Sequence, residues 1–348
     1  MTATLQETAR PSAESVAALR ASGVLGTVIP RVYGGRGGDA VQANRAVTDL
    51  ARRDPSLGIV LFQHLAVSAR ITEWGTVAQK AAILPRLASG EWLAASAWSE
   101  TGAGAAKKSL TTTAEQHTGG WALTGTKAFV TGAGIADLYL VLAQSEQSGD
   151  DDTVYGSSGQ TLFLVPAATP GLSVGSHVDM DGMRRSATGS VRLNGCVLPS
   201  DNVLGGAGIA ATIIRGVRES GATLGAVSLG IAEAAWDCVE AHLAKAGTSQ
   251  ATQYRLVDLA ARLEAVRGCI ERAGRRDSAN PGTTVLYSKL FASAETEEIC
   301  AQAQRLLGSA GYLQSHRVNA LARDARAIAL MGPTNELCRE LVSAAWTA

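Results

Sequence analysis

The stretch Trp121-Ala-Leu-Thr-Gly125-Thr126-Lys127-Ala-Phe129-Val130-Thr131-Gly132-Ala133-Gly134 decides how the rest of the chain reads. Two short runs flank Gly125-Thr126, and that spacing predicts two strands joined by a tight turn. Working outward, Leu138-Tyr-Leu-Val-Leu-Ala143 and Thr161-Leu-Phe-Leu-Val165 are compact apolar runs expected as strands. The acidic, Gly/Ser-rich segment from Ser145 to Gln160 is expected to be a solvent loop. Leu172–Val178 and Gly189–Val197 complete a sheet, with Pro166, Pro170 and Pro199 at its turns.

On both sides of this strand-rich centre the periodicity becomes helical. Ser12-Ala-Glu-Ser-Val has the form of a helix start. After the Pro30, Gly34-Gly35 and Gly37-Gly38 punctuation, helices are expected over Val41–Arg52 and Leu57–Trp74, and over Val77–Ala88 with an interruption at Pro85. No proline occurs between Pro199 and Pro281, and Ala/Leu-rich helical patterns cover Ile213–Leu243, Tyr254–Arg275, Thr284–Leu307 and Pro333–Trp346. Patterns apolar on more than one face belong in a bundle or a subunit interface. The expected organisation is α+β and mainly α: an N-terminal helical domain (1–94), a middle β-barrel-like domain (95–205) and a C-terminal four-helix bundle (206–348).

Composition narrows the function. Among 348 residues, 31 Lys+Arg balance 31 Asp+Glu, which argues against nucleic acid or an anionic membrane as partner. The five cysteines lie far apart with no Cys-x-x-Cys, so free thiols in a reducing compartment are expected. The opening MTATLQETARPSAES has no apolar core, and no uncharged apolar run approaches the roughly 20 residues that span a bilayer. A cytoplasmic location is the expectation.

Most motifs of catalysis fail. Gly102-Ala-Gly104-Ala-Ala-Lys107-Lys108-Ser109 lacks the glycine that precedes the lysine of a phosphate loop, and Gly206-Ala-Gly208 lacks the third glycine of a dinucleotide fingerprint. His64, His117, His177, His242 and His316 show no metal-ligand spacing, so no metal site is expected. What remains are small-residue loops: Trp98-Ser99-Glu100-Thr101-Gly102-Ala103-Gly104, and Phe129 to Gly134. Such loops are either tight turns or places where backbone N–H groups and hydroxyls meet a flat or phosphorylated ligand.

Taken in order, these loops and their flanks resemble the acyl-CoA dehydrogenase family through nearly the whole chain. Ile29-Pro30-x-x-Tyr33-Gly34-Gly35-x-Gly37-Gly38, Gly75-Thr76-x-x-Gln79-Lys80 and Leu84-Pro85-x-x-x-x-Gly90-Glu91 carry the resemblance first. Ser99-Glu100-x-Gly102-Ala103-Gly104 and Phe129-Val130-Thr131 carry it in the middle. Later come Gly182-Met183-Arg184-x-Ser186, Val197-x-Pro199-x-Asp201-Asn202-Val203-Leu204-Gly205, Gly308-x-x-Gly311-Tyr312 and Ala322-Arg323-Asp324-Ala325-Arg326. The resemblance implies FAD held between the β domain and the C-terminal bundle. Trp98, Ser99 and Gly104 would serve the cofactor, Ser99 at the pyrimidine edge. Thr131 would face N5, and Phe129 would cover the ring. Gly308, Gly311 and Thr334 would approach the adenosine diphosphate part, usually of a neighbouring subunit in a homodimer or homotetramer.

The departures bear on the reaction. The family's catalytic carboxylate usually sits in Tyr-Glu-Gly-Thr; here Met331-Gly332-Pro333-Thr334 occupies that place. Some members carry the base on the first bundle helix, where Glu219 stands close to the required register. Ala105-Ala106 replaces the usual Ser-Asp. Ala244–Gln250 replaces an Arg-x-x-Phe-Gly segment that clamps FAD, and the N-terminal part matches from about one helix in. The leading expectation is an FAD-dependent oxidoreductase acting on an acyl thioester of CoA or a carrier protein, in a specialised biosynthetic pathway, with an electron-transfer partner. The alternatives are a flavin-dependent monooxygenase on the same fold, which needs no α-base, and a non-redox or structural descendant.

Overall fold

The computed structural model describes residues 10–146, 155–246 and 249–347. The first nine residues, the centre of the loop expected at Ser145–Gln160 and two residues of the Ala244–Gln250 segment lie outside the described residues. Two compact units form: one of residues up to 39, 60–179 and 184–217, the other of residues 40–59, 180–183 and from 218 onward.

The helices begin at α1 (Ala13–Ala21), where the Ser12 hydroxyl caps by accepting from the Ser15 N–H. α2 (Ala40–Arg53) and α3 (Pro55–Trp74) follow, Asp54 capping the second of them through Ser56 and Leu57 N–H. The Gly75-Thr76-x-x-Gln79 motif is a capping box that opens α4 (Val77–Ser89). Gln79 also donates to the carbonyls of Asp201 at 2.6 Å and Val203 at 2.8 Å, which ties the helix start to the end of the sheet. Contrary to expectation, α4 runs through Pro85 without a break. Pro85 and Ala81 both face outward, so the carbonyl deprived of its partner is solvated while Leu84 and Leu87 anchor the buried face.

Seven strands make the sheet: β1 (Ala94–Ala97), β2 (Thr113–His117), β3 (Gly120–Val130), β4 (Leu138–Gln144), β5 (Gln160–Pro166), β6 (Leu172–His177) and β7 (Gly189–Pro199). Their order is β1-β4-β2-β3-β7-β6, with β5 paired to β4. The hairpin expected at Gly125-Thr126 is not there. The turn lies at 118–119, between β2 and β3, where His117 faces Gly120. Gly125 instead sits inside one eleven-residue strand at a shift of register against β7. A Cβ on Gly125 would stand 2.5 Å from the Thr112 hydroxyl, so the glycine marks a close approach, not a reversal. Trp121 and Phe163 pack edge to face at 5.6 Å inside the sheet's core.

Helices return with α5 (Ala210–Glu219), α6 (Gly225–Ala246), α7 (Gln250–Arg275), α8 (Pro281–Leu306), the one-turn α9 (Ser309–Tyr312), α10 (Arg317–Leu330) and α11 (Asn335–Thr347). The single helix expected over Ile213–Leu243 is two. Gly221 breaks it with φ +82°, and a Cβ there would meet the Ala273 carbonyl at 2.9 Å. α6, α7, α8 and α10 pack as the bundle, and α2 joins them against α6 and α7.

The helix break explains a buried polar residue. Asn44 of α2 donates to the Gly221 carbonyl at 3.0 Å and accepts from the Thr223 N–H at 3.1 Å, filling the gap that the break leaves in the helical ladder. Asn44→Ala is expected to cost about 2 kcal/mol by orphaning both groups. Urea denaturation checks this, with an unchanged midpoint counting against it.

Candidate functional site

In the first unit the loop after β1 carries the chemistry. Glu100 lies in that loop, after Trp98 and Ser99, and its side chain is 1% exposed, while Lys127 of β3 is 0% exposed; they meet at 2.6 Å. The carboxylate also accepts from the Thr111 N–H and hydroxyl, both at 2.6 Å, and from the Thr112 N–H at 3.1 Å. Burial works to raise the Glu100 pKa, but the Lys127 charge and these hydrogen bonds outweigh it and hold the carboxyl at about 2. Burial brings Lys127 down to about 8 against the attraction of Glu100. The pair is ionised at neutral pH and fixes the loop's base, helped by Ala128 N–H donating to the Ser99 carbonyl at 2.8 Å.

On this base stand the residues expected to meet a cofactor. The Ser99 hydroxyl accepts from Lys107 Nζ at 2.9 Å. Trp98 buries its indole N–H, which has no hydrogen-bond partner among the described residues. At Gly102 and Gly104 nothing lies within 4 Å of where a Cβ would stand, so the loop presents bare backbone to open space.

Phe129 lies at the second register shift of β3, with φ +53°, and is 62% exposed. A bulge re-aims side chains in this way, and a left-handed non-glycine residue costs on the order of 1–3 kcal/mol. Two residues later Thr131 is buried, 3.4 Å from the Thr188 hydroxyl, which in turn bonds the Ser186 hydroxyl at 2.7 Å. The loop that follows is fixed by Gly132 N–H donating to the Ser186 carbonyl at 3.0 Å and Gly134 N–H donating to the Tyr139 oxygen at 2.9 Å. An exposed aromatic face therefore sits two residues from a held hydroxyl.

The remaining expected residues belong to the second unit. Gly308 is open, with φ +57°, and leads into α9; a Cβ on Gly311 would meet the Gln304 carbonyl at 2.3 Å. The Gly308–Gly311 segment is thus a helical turn. Thr334 caps α11, its hydroxyl accepting from the Leu337 N–H at 3.2 Å. Beside it, buried Lys289 donates to the carbonyls of Met331, at 2.9 Å, and Pro333, which pins the loop that contains Gly332. Glu219 is the exposed last residue of α5, near Gly282 at the start of α8.

Sequence reasoning missed Lys107, Lys127 and the Ser186–Thr188 hydroxyls. Lys127 had a signal, a lysine inside a run that otherwise reads as strand. Lys107 had only the imperfect phosphate-loop pattern.

Three family models match in chain order: acyl-CoA dehydrogenase N-terminal domain over residues 2–91, middle domain over 95–196 and C-terminal domain over 206–346. An acyl-CoA dehydrogenase of Bacillus subtilis (strain 168) is 30% identical, across 92% of this chain and 86% of that protein. The butyryl-CoA dehydrogenase of Megasphaera elsdenii superposes with TM-score 0.87 at 27% identity, across 98% of this chain and 91% of that one. The prolyl acyl carrier protein oxidase AnaB gives TM-score 0.87 at 25% identity, across 98% and 92%.

Proposed function

The chain belongs to the acyl-CoA dehydrogenase family, and we propose on that basis that it is an FAD-dependent oxidoreductase acting on an acyl thioester. The observation that carries this reading is Phe129, an aromatic turned outward by a bulge two residues before a buried hydroxyl. The surrounding groups fit a flat, acceptor-rich ring: an orphaned indole N–H at Trp98, a hydroxyl at Ser99 and open backbone at Gly104. When bound, FAD supplies the hydride acceptor of the oxidation.

The chain's own residues do the rest. Phe129 would cover one face of the ring and exclude water from it. Thr131 presents a hydroxyl held by Thr188, and Gly308, Gly311 and Thr334 would receive the adenosine diphosphate part of a neighbouring subunit's FAD. The α-proton needs a carboxylate, and with Gly332 in the usual place the candidate is Glu219. The assignment extends to domains at 1–94, 95–205 and 206–348, a cytoplasmic homodimer or homotetramer, an electron-transfer partner, and a thioester on CoA or a carrier protein in a biosynthetic pathway. The likeness to AnaB supports the carrier-protein form.

The purified chain is expected to show a flavin spectrum as isolated or after addition of FAD. It is expected to bleach when acyl thioesters are added without oxygen. Phe129→Ser should weaken FAD binding about tenfold, the loss of one aromatic stacking contact. No chromophore under either condition sinks the reading. Gly332 at the carboxylate position favours a second one, a flavin-dependent monooxygenase; oxygen uptake with reduced flavin and no bleaching by thioesters would select it.

A further inference from the structure

The charges beneath the Ser99 loop do not balance. Lys127 and Glu100 neutralise each other at 2.6 Å, and the remaining acceptor capacity of the carboxylate is taken by Thr111 and Thr112. Lys107 is a third buried charge in the same cluster, and the hydrogen bond it makes goes to a neutral oxygen, Ser99 Oγ at 2.9 Å. The cluster therefore carries one positive charge in excess. A buried ammonium without a carboxylate of its own is costly, and a site that keeps one has a use for it.

The backbone shows that this placement is imposed. Lys107 has φ +59°, a left-handed conformation rare for a lysine. It is held by the fully buried Gln160, whose amide donates to the Lys107 carbonyl at 2.7 Å, and by Gly156 N–H donating to the Ala106 carbonyl at 2.8 Å. Next door, exposed Lys108 shows the ordinary alternative. Strain that the surroundings over-determine is characteristic of working sites.

The hydrogen-bond directions then follow from elementary chemistry. An ammonium only donates, so Ser99 Oγ is the acceptor in this contact. Its own proton is left to donate outward, and no residue among those described accepts it. With the Trp98 N–H, the loop offers two donors and a net positive charge to whatever binds there.

Resting on the FAD reading above, we infer that Lys107 is a positioning residue. It fixes the Ser99 hydroxyl as an outward donor and places a positive charge beside a ring-carbonyl edge that becomes anionic on reduction. The ligand class is a planar, acceptor-rich ring able to carry negative charge, and the effect is to favour its reduced form.

The test uses the whole chain with FAD, unaltered and as Lys107→Met and Lys107→Gln. Sulfite, which adds to the oxidised ring and leaves it negatively charged, is titrated into each, and the midpoint potential is measured. Both variants are expected to bind sulfite about tenfold more weakly or worse and to show a lower potential, since a nearby unit charge is worth at least that much in a shielded site. Thermal unfolding of the ligand-free proteins is the second readout. Loss of a surplus buried charge should leave Lys107→Met as stable as the unaltered chain or more so, whereas a lysine with a merely structural role would lower stability on removal. Unchanged sulfite affinity and potential, or variants that are destabilised or fail to fold, overturn the inference. Failure of the unaltered chain to bind FAD overturns the function along with it; normal FAD binding with unchanged sulfite affinity overturns this inference alone.

Discussion

Glu100→Gln is expected to destabilise the protein by about 3–5 kcal/mol, the usual consequence of leaving one partner of a buried ion pair without the other. The substitution keeps shape and volume, so the loss measures charge and hydrogen bonding. It removes the counter-charge from Lys127, which has no exposure to water, and it turns one oxygen into an N–H₂ facing donors. Lys127 Nζ, Thr111 N–H and hydroxyl, and Thr112 N–H all point at that carboxylate, so a carboxamide satisfies only part of the set. Three chain segments would loosen together: the loop after β1, the approach to β2 and the middle of β3. Urea denaturation gives the number. The double variant Glu100→Gln/Lys127→Met should recover much of the loss, because it removes the unpaired buried ammonium and keeps a side-chain oxygen for the Thr111 and Thr112 donors. A single-variant cost below about 1 kcal/mol would mean that the pair does not hold the loop.

The second large effect is a pH dependence centred on His64. This residue of α3 is wholly buried, accepts from the Ala94 N–H at Nδ1 (3.2 Å) and lies 3.2 Å from the Leu25 carbonyl through Nε2. The two bonds define a neutral ring with its proton on Nε2, donating to Leu25. Burial lowers the pKa from 6.5 to about 4; the bond to Leu25 opposes this, and the nearby Arg20 charge adds to it. In the unfolded chain the ring takes a proton below about 6.5, while in the folded chain it does not until about 4. Stability is therefore full above pH 6.5 and falls as pH drops through the window from 6.5 to 4. The expected loss is about 2 kcal/mol between roughly pH 7 and pH 5, and about 3 kcal/mol in total. Glu100 acts in the same direction but in the more acidic range between its ordinary value of 4.5 and about 2, so the two steps separate. Denaturation of the unaltered chain and of His64→Gln at these pH values checks the assignment. A His64→Gln protein that keeps the full slope above pH 5 would remove His64 as its source.

How far the chain is legible depends on the range of the force involved. Ser12 declares a helix start because a cap acts within three residues of itself. The runs at 138–143 and 161–165 declare strands because both faces are buried and both read as apolar. The reading fails where one residue type serves two geometries. Gly125-Thr126 has the composition of a turn, but the glycine is there because Thr112 passes close to it. The helix break at Gly221 falls inside an unbroken Ala/Leu pattern and exists because Asn44, distant in sequence, satisfies it.

The candidate site divides in the same way. Trp98, Ser99, Phe129 and Thr131 could be named from loops and resemblance. That Phe129 faces outward is a property of the register between β3 and β7. Lys107 and Lys108 look alike in a failed phosphate-loop pattern, yet Gln160 turns the first inward and leaves the second in water. By itself, then, the sequence determines the order and kind of the elements and their family, since caps, turns and apolar runs act between near neighbours. The tertiary structure alone decides the charge beneath the loop, because Glu100 and Lys127 stand 27 residues apart and only folding makes one neutralise the other and leaves Lys107 over. Electrostatic energy follows distance in space, and burial strengthens it where water no longer screens.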